Sequence, residues 1–208
     1  MPLTIDILYR LWPHGDSKVP GLVEGIIASI PTVFPKYGII SDLVVAHMMA
    51  QFSEECGGGT EMVENLNYRA DALRSQWPSH FTPEQAQEMA HNPQAIANQA
   101  YNGRMLNVIG SNDGWNFRGR GLSQTTGREG YQSLADKTGL DLINNPELVN
   151  DPANALECGV ADFVLCGCLP PALADDVISV TRHLNGGTIG LVEREHWLAA
   201  WKSALGVS

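Results

Sequence analysis

Apolar residues along this chain recur at helical spacing, and no segment shows the period-two alternation of a half-buried strand. Residues 4–12 predict a short helix stopped by Pro13, and a second apolar segment runs 20–30. Residues 41–56 predict a strongly apolar helix with Ser41 and Asp42 as cap candidates. Thr82-Pro83-Glu84-Gln85 reads as a capping box with proline at the first helical position, opening a helix to about His91, and Asn92-Pro93 starts another toward Tyr101. Asp151-Pro152 opens a long helix through Leu165, and helices over 172–184 and 190–205 follow. The last of these sets Leu191, Leu198, Trp201 and Leu205 on one stripe, a core face. Between Tyr101 and Gly130 glycines, arginines and aromatics replace the periodicity. The pattern predicts a mainly α fold. Two helical lobes flank a central cleft lined by the irregular segment, in a single domain over 1–208 without a repeat or a separate binding module.

Charge narrows the classes of partner. Lys plus Arg number 13 against 23 Asp plus Glu, a net charge of −10 over 208 residues, which argues against nucleic acid and against docking on anionic membrane. A neutral glycan or peptide is indifferent to that sign. The N-terminal residues lack a basic stretch followed by an apolar one, so no signal peptide is expected, and Leu43–Ala50 is too short to span a bilayer. The expectation is synthesis in the cytosol without membrane insertion. Four cysteines (Cys56, Cys158, Cys166, Cys168) are expected to stay reduced, and Cys166-Gly167-Cys168 lacks the paired spacing of a metal site.

The candidate chemistry is a pair of carboxylates around a glycine break: Glu55, then Gly57-Gly58-Gly59, then Glu64. A helix C-terminus carries partial negative charge, so ending one in Glu54-Glu55 breaks a local rule. On the helical wheel Glu55 falls beside Val44, Met48 and Gln51, whereas Glu54 turns toward Leu43, His47 and Ala50. An apolar seat at a helix C-terminus favours the protonated carboxyl that a general acid needs. Along an unbroken helix Glu64 would lie on the opposite face; the glycines let the chain fold back so that the two carboxylates can face one another. A pair separated by the width of a water supports inverting glycoside hydrolysis, and a closer pair the retaining route.

Other readings of the motifs are weaker. Arg118, Arg120 and Arg128 lie among glycines, but neither GxGxxG after a strand nor GK[ST] is present, so a phosphate cradle lacks its motif. Ser123 lacks the closing glycine of a nucleophile elbow. Ser123, Gln124 and Thr126 suit the holding of a water or a sugar hydroxyl, and Tyr68, Tyr101, Trp115 and Phe117 suit either sugar stacking or a core. His196 reads as a solvated residue, and His47 and His183 as core or cleft positions.

Several blocks together resemble glycoside hydrolase family 19, the chitinases and their phage endolysin relatives. They are Ala50-Gln51-Phe52-Ser53-Glu54-Glu55-Cys56-Gly57-Gly58, Glu64-Asn65-Leu66-Asn67-Tyr68, Ile96-Ala97-Asn98-Gln99-Ala100-Tyr101 with Gly103-Arg104, the run from Asp113 to Arg128, and Val180-Thr181-Arg182-His183-Leu184-Asn185-Gly186-Gly187. The resemblance implies a lysozyme-like α fold and cleavage of β-1,4-linked N-acetylated glycans with inversion, without metal or cofactor. It places the general acid at Glu55, the general base at Glu64 and the water-holding hydroxyl at Thr126. Gln124, Arg182 and Asn185 fall on cleft positions, and Tyr68, Tyr101 and Trp115 are taken as substrate contacts. Glu54 stands where the family usually has histidine and Cys56 where it has Ser or Thr, which leaves the acid open between Glu54 and Glu55; the stripe favours Glu55. The expectation is a monomeric endolysin of phage or prophage type that acts on peptidoglycan after release from the cytoplasm. A chitinase with the same machinery and a catalytically silent glycan-binding protein are the rivals.

Overall fold

The structure is a computed structural model describing residues 2–207. Among the described residues twelve α-helices follow one another: α1 (Ile5–Leu11), α2 (Leu22–Tyr37), α3 (Asp42–Glu55), α4 (Ala70–Gln76), α5 (Pro83–Met89), α6 (Pro93–Tyr101), α7 (Asp113–Asn116), α8 (Gly127–Thr138), α9 (Ala155–Leu165), α10 (Leu169–Leu173), α11 (Val177–Asn185) and α12 (Leu191–Leu205), with a 3-10 turn at Pro146–Asn150. Among the described residues extended pairing is confined to single bridges, Val63 with Arg120 and Arg120 with Thr125.

Two apolar cores define two lobes. The larger gathers residues of α1–α3 and α8–α12, and the smaller gathers Leu66, Leu73, Phe81, Ala86, Ile96, Ala97 and Ala100 from and around α4–α6. The axis of the large lobe is α3, buried without interruption from Val44 to Ser53. A helix enclosed on all sides must satisfy its polar side chains inside the protein. Ser53 does so by accepting the indole N–H groups of Trp12 (2.8 Å) and Trp201 (2.9 Å) while donating to the Met49 carbonyl (2.7 Å). His47 is fully buried, as its core reading requires, and its Nε2 meets Asp175 at 2.8 Å. His183 departs from expectation: it is exposed, with Nδ1 against the Cys166 carbonyl.

Thr82 and Gln85 form the reciprocal capping box that opens α5. Several segments differ from the sequence pattern. The helix expected to open at Asp151-Pro152 begins at Ala155, behind Asn154, and residues 151–154 form a turn. The apolar stretch expected to end near residue 30 continues through Pro31 and Pro35 to Tyr37. Both prolines face solvent while Val33 and Tyr37 stay inside. The helix expected over 172–184 is split into α10 and α11 by a turn at Asp175 (φ 59°), after which Asp176 caps α11 through the Ser179 N–H. Helices α4, α7 and α8 were not expected; α8 buries only Gly127, Tyr131 and Leu134 and so carries little apolar signal.

Candidate active site

The turn between the candidate carboxylates follows from its three glycines. Gly57, Gly58 and Gly59 all have positive φ (54°, 60° and 87°), and a Cβ on Gly59 would lie 2.6 Å from the Gly15 carbonyl oxygen. The last turn of α3 closes over this break: Cys56 Sγ accepts the Gly59 N–H at 3.3 Å, the bond a Ser or Thr hydroxyl could make at that place. Burial pushes the Cys56 thiol up to about 12, so it stays protonated. The chain then runs extended, and Glu64 pairs its N–H with the Gly119 carbonyl at 2.9 Å.

A cleft of about 700 Å³ results, lined by Glu55 and Glu64 together with Lys18, Val19, Thr60, Glu61, Met62, Val63, Asn65, Tyr68 and Gln124. Glu54 does not line it; that side chain lines a separate hollow with Glu193, His196 and Trp197. The two adjacent glutamates therefore address different spaces.

The apolar seat expected for Glu55 is not what the fold provides. Glu55 Oε1 accepts from Arg194 Nη2 at 2.6 Å, and the same buried guanidinium donates through Nη1 to Gln51 Oε1 at 2.6 Å and through Nε to the Ile189 carbonyl at 3.3 Å. Gln51 in turn donates to Thr181 Oγ1 at 3.2 Å. The helix-end clash of like charges is answered by a cation from α12. The upward push from burial falls on Glu54, opposed by the charge of Arg194.

Glu64 is half-buried and held by two donors, the Tyr101 hydroxyl on Oε1 and the Gly119 N–H on Oε2 at 3.2 Å. Burial first, then the neighbouring carboxylate, pushes the Tyr101 phenol up, so it remains a donor. Gly119 is also the point where three elements converge: a Cβ there would sit 3.1 Å from Gln124 Oε1, 3.3 Å from Glu64 Cβ and 3.3 Å from Thr126 Oγ1. Gln124, at a left-handed φ of 53°, ties the two walls by donating to the Glu61 and Gly121 carbonyls. The Thr126 hydroxyl donates to the Gln124 carbonyl at 3.0 Å.

The remaining candidate contacts are placed differently. Tyr68 lines the cleft, while Tyr101 stands behind Glu64 with its ring against Trp77. Trp115 packs on the small core under the Arg118 guanidinium, 3.7 Å from the ring centroid. Arg182 is exposed, its charge acting on Asp176, and Asn185 donates to the Ile189 carbonyl that also receives Arg194. The arginines of the irregular segment are committed to structure. Arg120 makes a bidentate pair with Glu147 and Arg128 one with Asp113. All four cysteines are free thiols, and the described residues contain no group of three or more His, Cys, Asp or Glu poised for a metal.

Sequence reasoning missed Arg194 and Lys18. Arg194 had a readable signal, since it lies on the same buried stripe as Leu198, Trp201 and Leu205, where an arginine needs a partner. Lys18 sits in a loop with no periodicity to mark it.

No protein-family model matches the chain. A protein of Haemophilus influenzae described as a glycosyl hydrolase family 19 domain-containing protein is 35% identical over 188 residues, covering 89% of this chain and 88% of the relative. Solved structures share the fold, among them three of chitinases. One is a mutant of chitinase C, with a TM-score of 0.63 and 17% identity over 99% of this chain and 93% of that one. Chitinase C from Streptomyces griseus HUT6037 gives 0.60 and 19% over 99% and 93%. A bacterial family 19 chitinase gives 0.60 and 22% over 99% and 95%. The mainly helical, lysozyme-like architecture expected from the sequence is the architecture observed.

Proposed function

This chain belongs to glycoside hydrolase family 19, and we propose that it cuts the β-1,4 bonds of peptidoglycan with inversion, using Glu55 as general acid and Glu64 as general base. The observation that carries the reading is that Glu55 and Glu64 line one cleft from either side of the glycine turn, each with its own donors. Glu55 gives its proton to the glycosidic oxygen as the C–O bond breaks. Arg194 orients that carboxyl and offsets the negative charge left on it. Glu64 takes a proton from a water that attacks the anomeric carbon from the opposite face. An ionised carboxylate has about four acceptor sites, so the two donors on Glu64 leave room for this water. Thr126, beside Gly119, is assigned to help hold it. The new hydroxyl is thus formed from water, Glu55 ends ionised and Glu64 protonated, and solvent exchange restores both.

The wider reading is a single catalytic domain acting as an endolysin of phage or prophage type. Chitin is the second reading, favoured by the chitinase names of the structures that share the fold. Mass spectrometry of digests of purified peptidoglycan, run beside chitin oligomers, tests the proposal. Muropeptides with new reducing ends at a β-1,4 bond are expected; products from chitin alone would overturn the peptidoglycan assignment.

A further inference from the structure

Among the described residues, three carboxylates line the catalytic cleft, Glu55, Glu61 and Glu64, and a single cation joins them there, Lys18. The other basic side chains around the site are committed elsewhere. Arg194 is spent on Glu55, Arg120 on Glu147 and Arg128 on Asp113, and Arg118 lies on the Trp115 ring. None of the ion pairs among the described residues includes Lys18.

The loop that carries Lys18 is fixed by the same glycine turn that separates the two glutamates. Gly15 lies against Gly59 so closely that a Cβ there would have no room, and a Cβ on Gly58 would be 3.1 Å from the Trp12 ring. Asp16 accepts the Val23 N–H at 2.9 Å and the Tyr9 hydroxyl at 2.7 Å, which pins the loop at its middle. Lys18, two residues on, is therefore presented to the cleft from a rigid base, with its exposed side chain free to reach a ligand.

We infer that Lys18 is a specificity-determining residue that pairs with a carboxylate borne by the glycan substrate. The inference rests on the peptidoglycan reading above. A chain of net charge −10 with Glu61 and Glu64 on its cleft, and Glu55 already met by Arg194, repels an anionic strand and is indifferent to a neutral one. One uncommitted ammonium at the cleft wall offsets that repulsion only where the substrate carries negative charge. N-acetylglucosamine polymers carry none. Muramyl strands carry it in two places, the lactyl group when its stem peptide has been removed, and the stem peptide itself.

The test compares wild type with Lys18→Ala and Lys18→Glu on four substrates: muramyl strands with stems, strands stripped of stems, strands whose carboxylates are blocked by amidation, and chitin oligomers. KM on the carboxylated strands is expected to rise about fivefold for Lys18→Ala and further for Lys18→Glu, with kcat unchanged. KM on amidated strands and on chitin oligomers is expected to stay at the wild-type value. An effect on stripped strands assigns the contact to the lactyl carboxylate, and an effect on stem-bearing strands alone assigns it to the peptide. Unchanged KM on every carboxylated strand overturns the inference while leaving the peptidoglycan reading intact, as does an equal shift on amidated strands. Wild-type cleavage of chitin without any muramyl strand overturns both.

Discussion

Replacing Arg194 by methionine tests the link between packing and chemistry most fully, because one side chain serves both. Arg194 is 3% exposed, and its guanidinium donates to Gln51, Glu55 and the Ile189 carbonyl. Methionine fills much of the volume and removes all three bonds. The stranded Gln51 oxygen, fully buried, costs about 1–3 kcal/mol. Glu55 loses its cation but keeps 18% of its side-chain surface accessible on the cleft, so its contribution is well below the 3–5 kcal/mol of a fully buried broken pair. Ile189 is exposed and its carbonyl adds little. A total of about 3 kcal/mol corresponds to a fall in Tm of roughly 6–12 °C for a chain of this size. The acid also loses the group that fixes its direction, and a displacement of about 1 Å at a reacting group can cost about 100-fold in rate. Urea and thermal denaturation give the first quantity, and initial rates of glycan cleavage, taken where the variant is folded, give the second. Arg194→Lys, which keeps the charge without the planar fork, is expected to recover part of the stability and little of the rate. A Tm within about 1 °C of wild type together with a kcat within about twofold would refute the account of this residue.

Ser53→Ala is expected to destabilise the large lobe by about 2–4 kcal/mol, since two buried indole N–H groups lose their acceptor at once; differential scanning calorimetry reads it. Tyr101→Phe leaves the ring packing on Trp77 in place but removes one donor from Glu64, and kcat is expected to fall about tenfold with Tm little changed. Burial lowers the His47 pKa below its ordinary value, with Asp175 pulling the other way. The folded state therefore binds this proton less readily than the unfolded chain, and the stability involved is fully present above about pH 6.5 and falls as pH drops below it, at up to about 1.4 kcal/mol per unit. In His47→Gln the denaturation midpoint is expected to lose that part of its pH dependence; an unchanged slope between pH 6.5 and 5 would count against the assignment.

The legible parts of the fold were those with local causes. The Thr82 capping box, the stop at Pro13 and the apolar run of α3 are decided by neighbouring residues, and those helices begin and end within a few residues of where the pattern puts them. The extension of α2 through two prolines and the polar helix α8 were not legible, because each depends on what the rest of the chain covers or leaves wet. The site divides in the same way. Glu55, Glu64, Tyr68 and Gln124 could be named from motifs, and they share the cleft. The seat of Glu55 was misread, since a helical wheel shows which residues share a face of α3 but not that α12 sends an arginine to meet it. Arg182 and Asn185 were named from a motif; both lie exposed on α11, and Asn185 donates to the Ile189 carbonyl that also receives Arg194.

The central claim is that two glutamates divide acid and base work across one cleft. Proton NMR of the first products from a soluble β-linked glycan, recorded before mutarotation, tests it most directly when run on wild type, Glu55→Gln and Glu64→Gln. The account predicts that wild type releases the α-anomer first, and that both variants are folded and nearly inactive. Initial release of the β-anomer, or near-normal turnover by either folded variant, would contradict it.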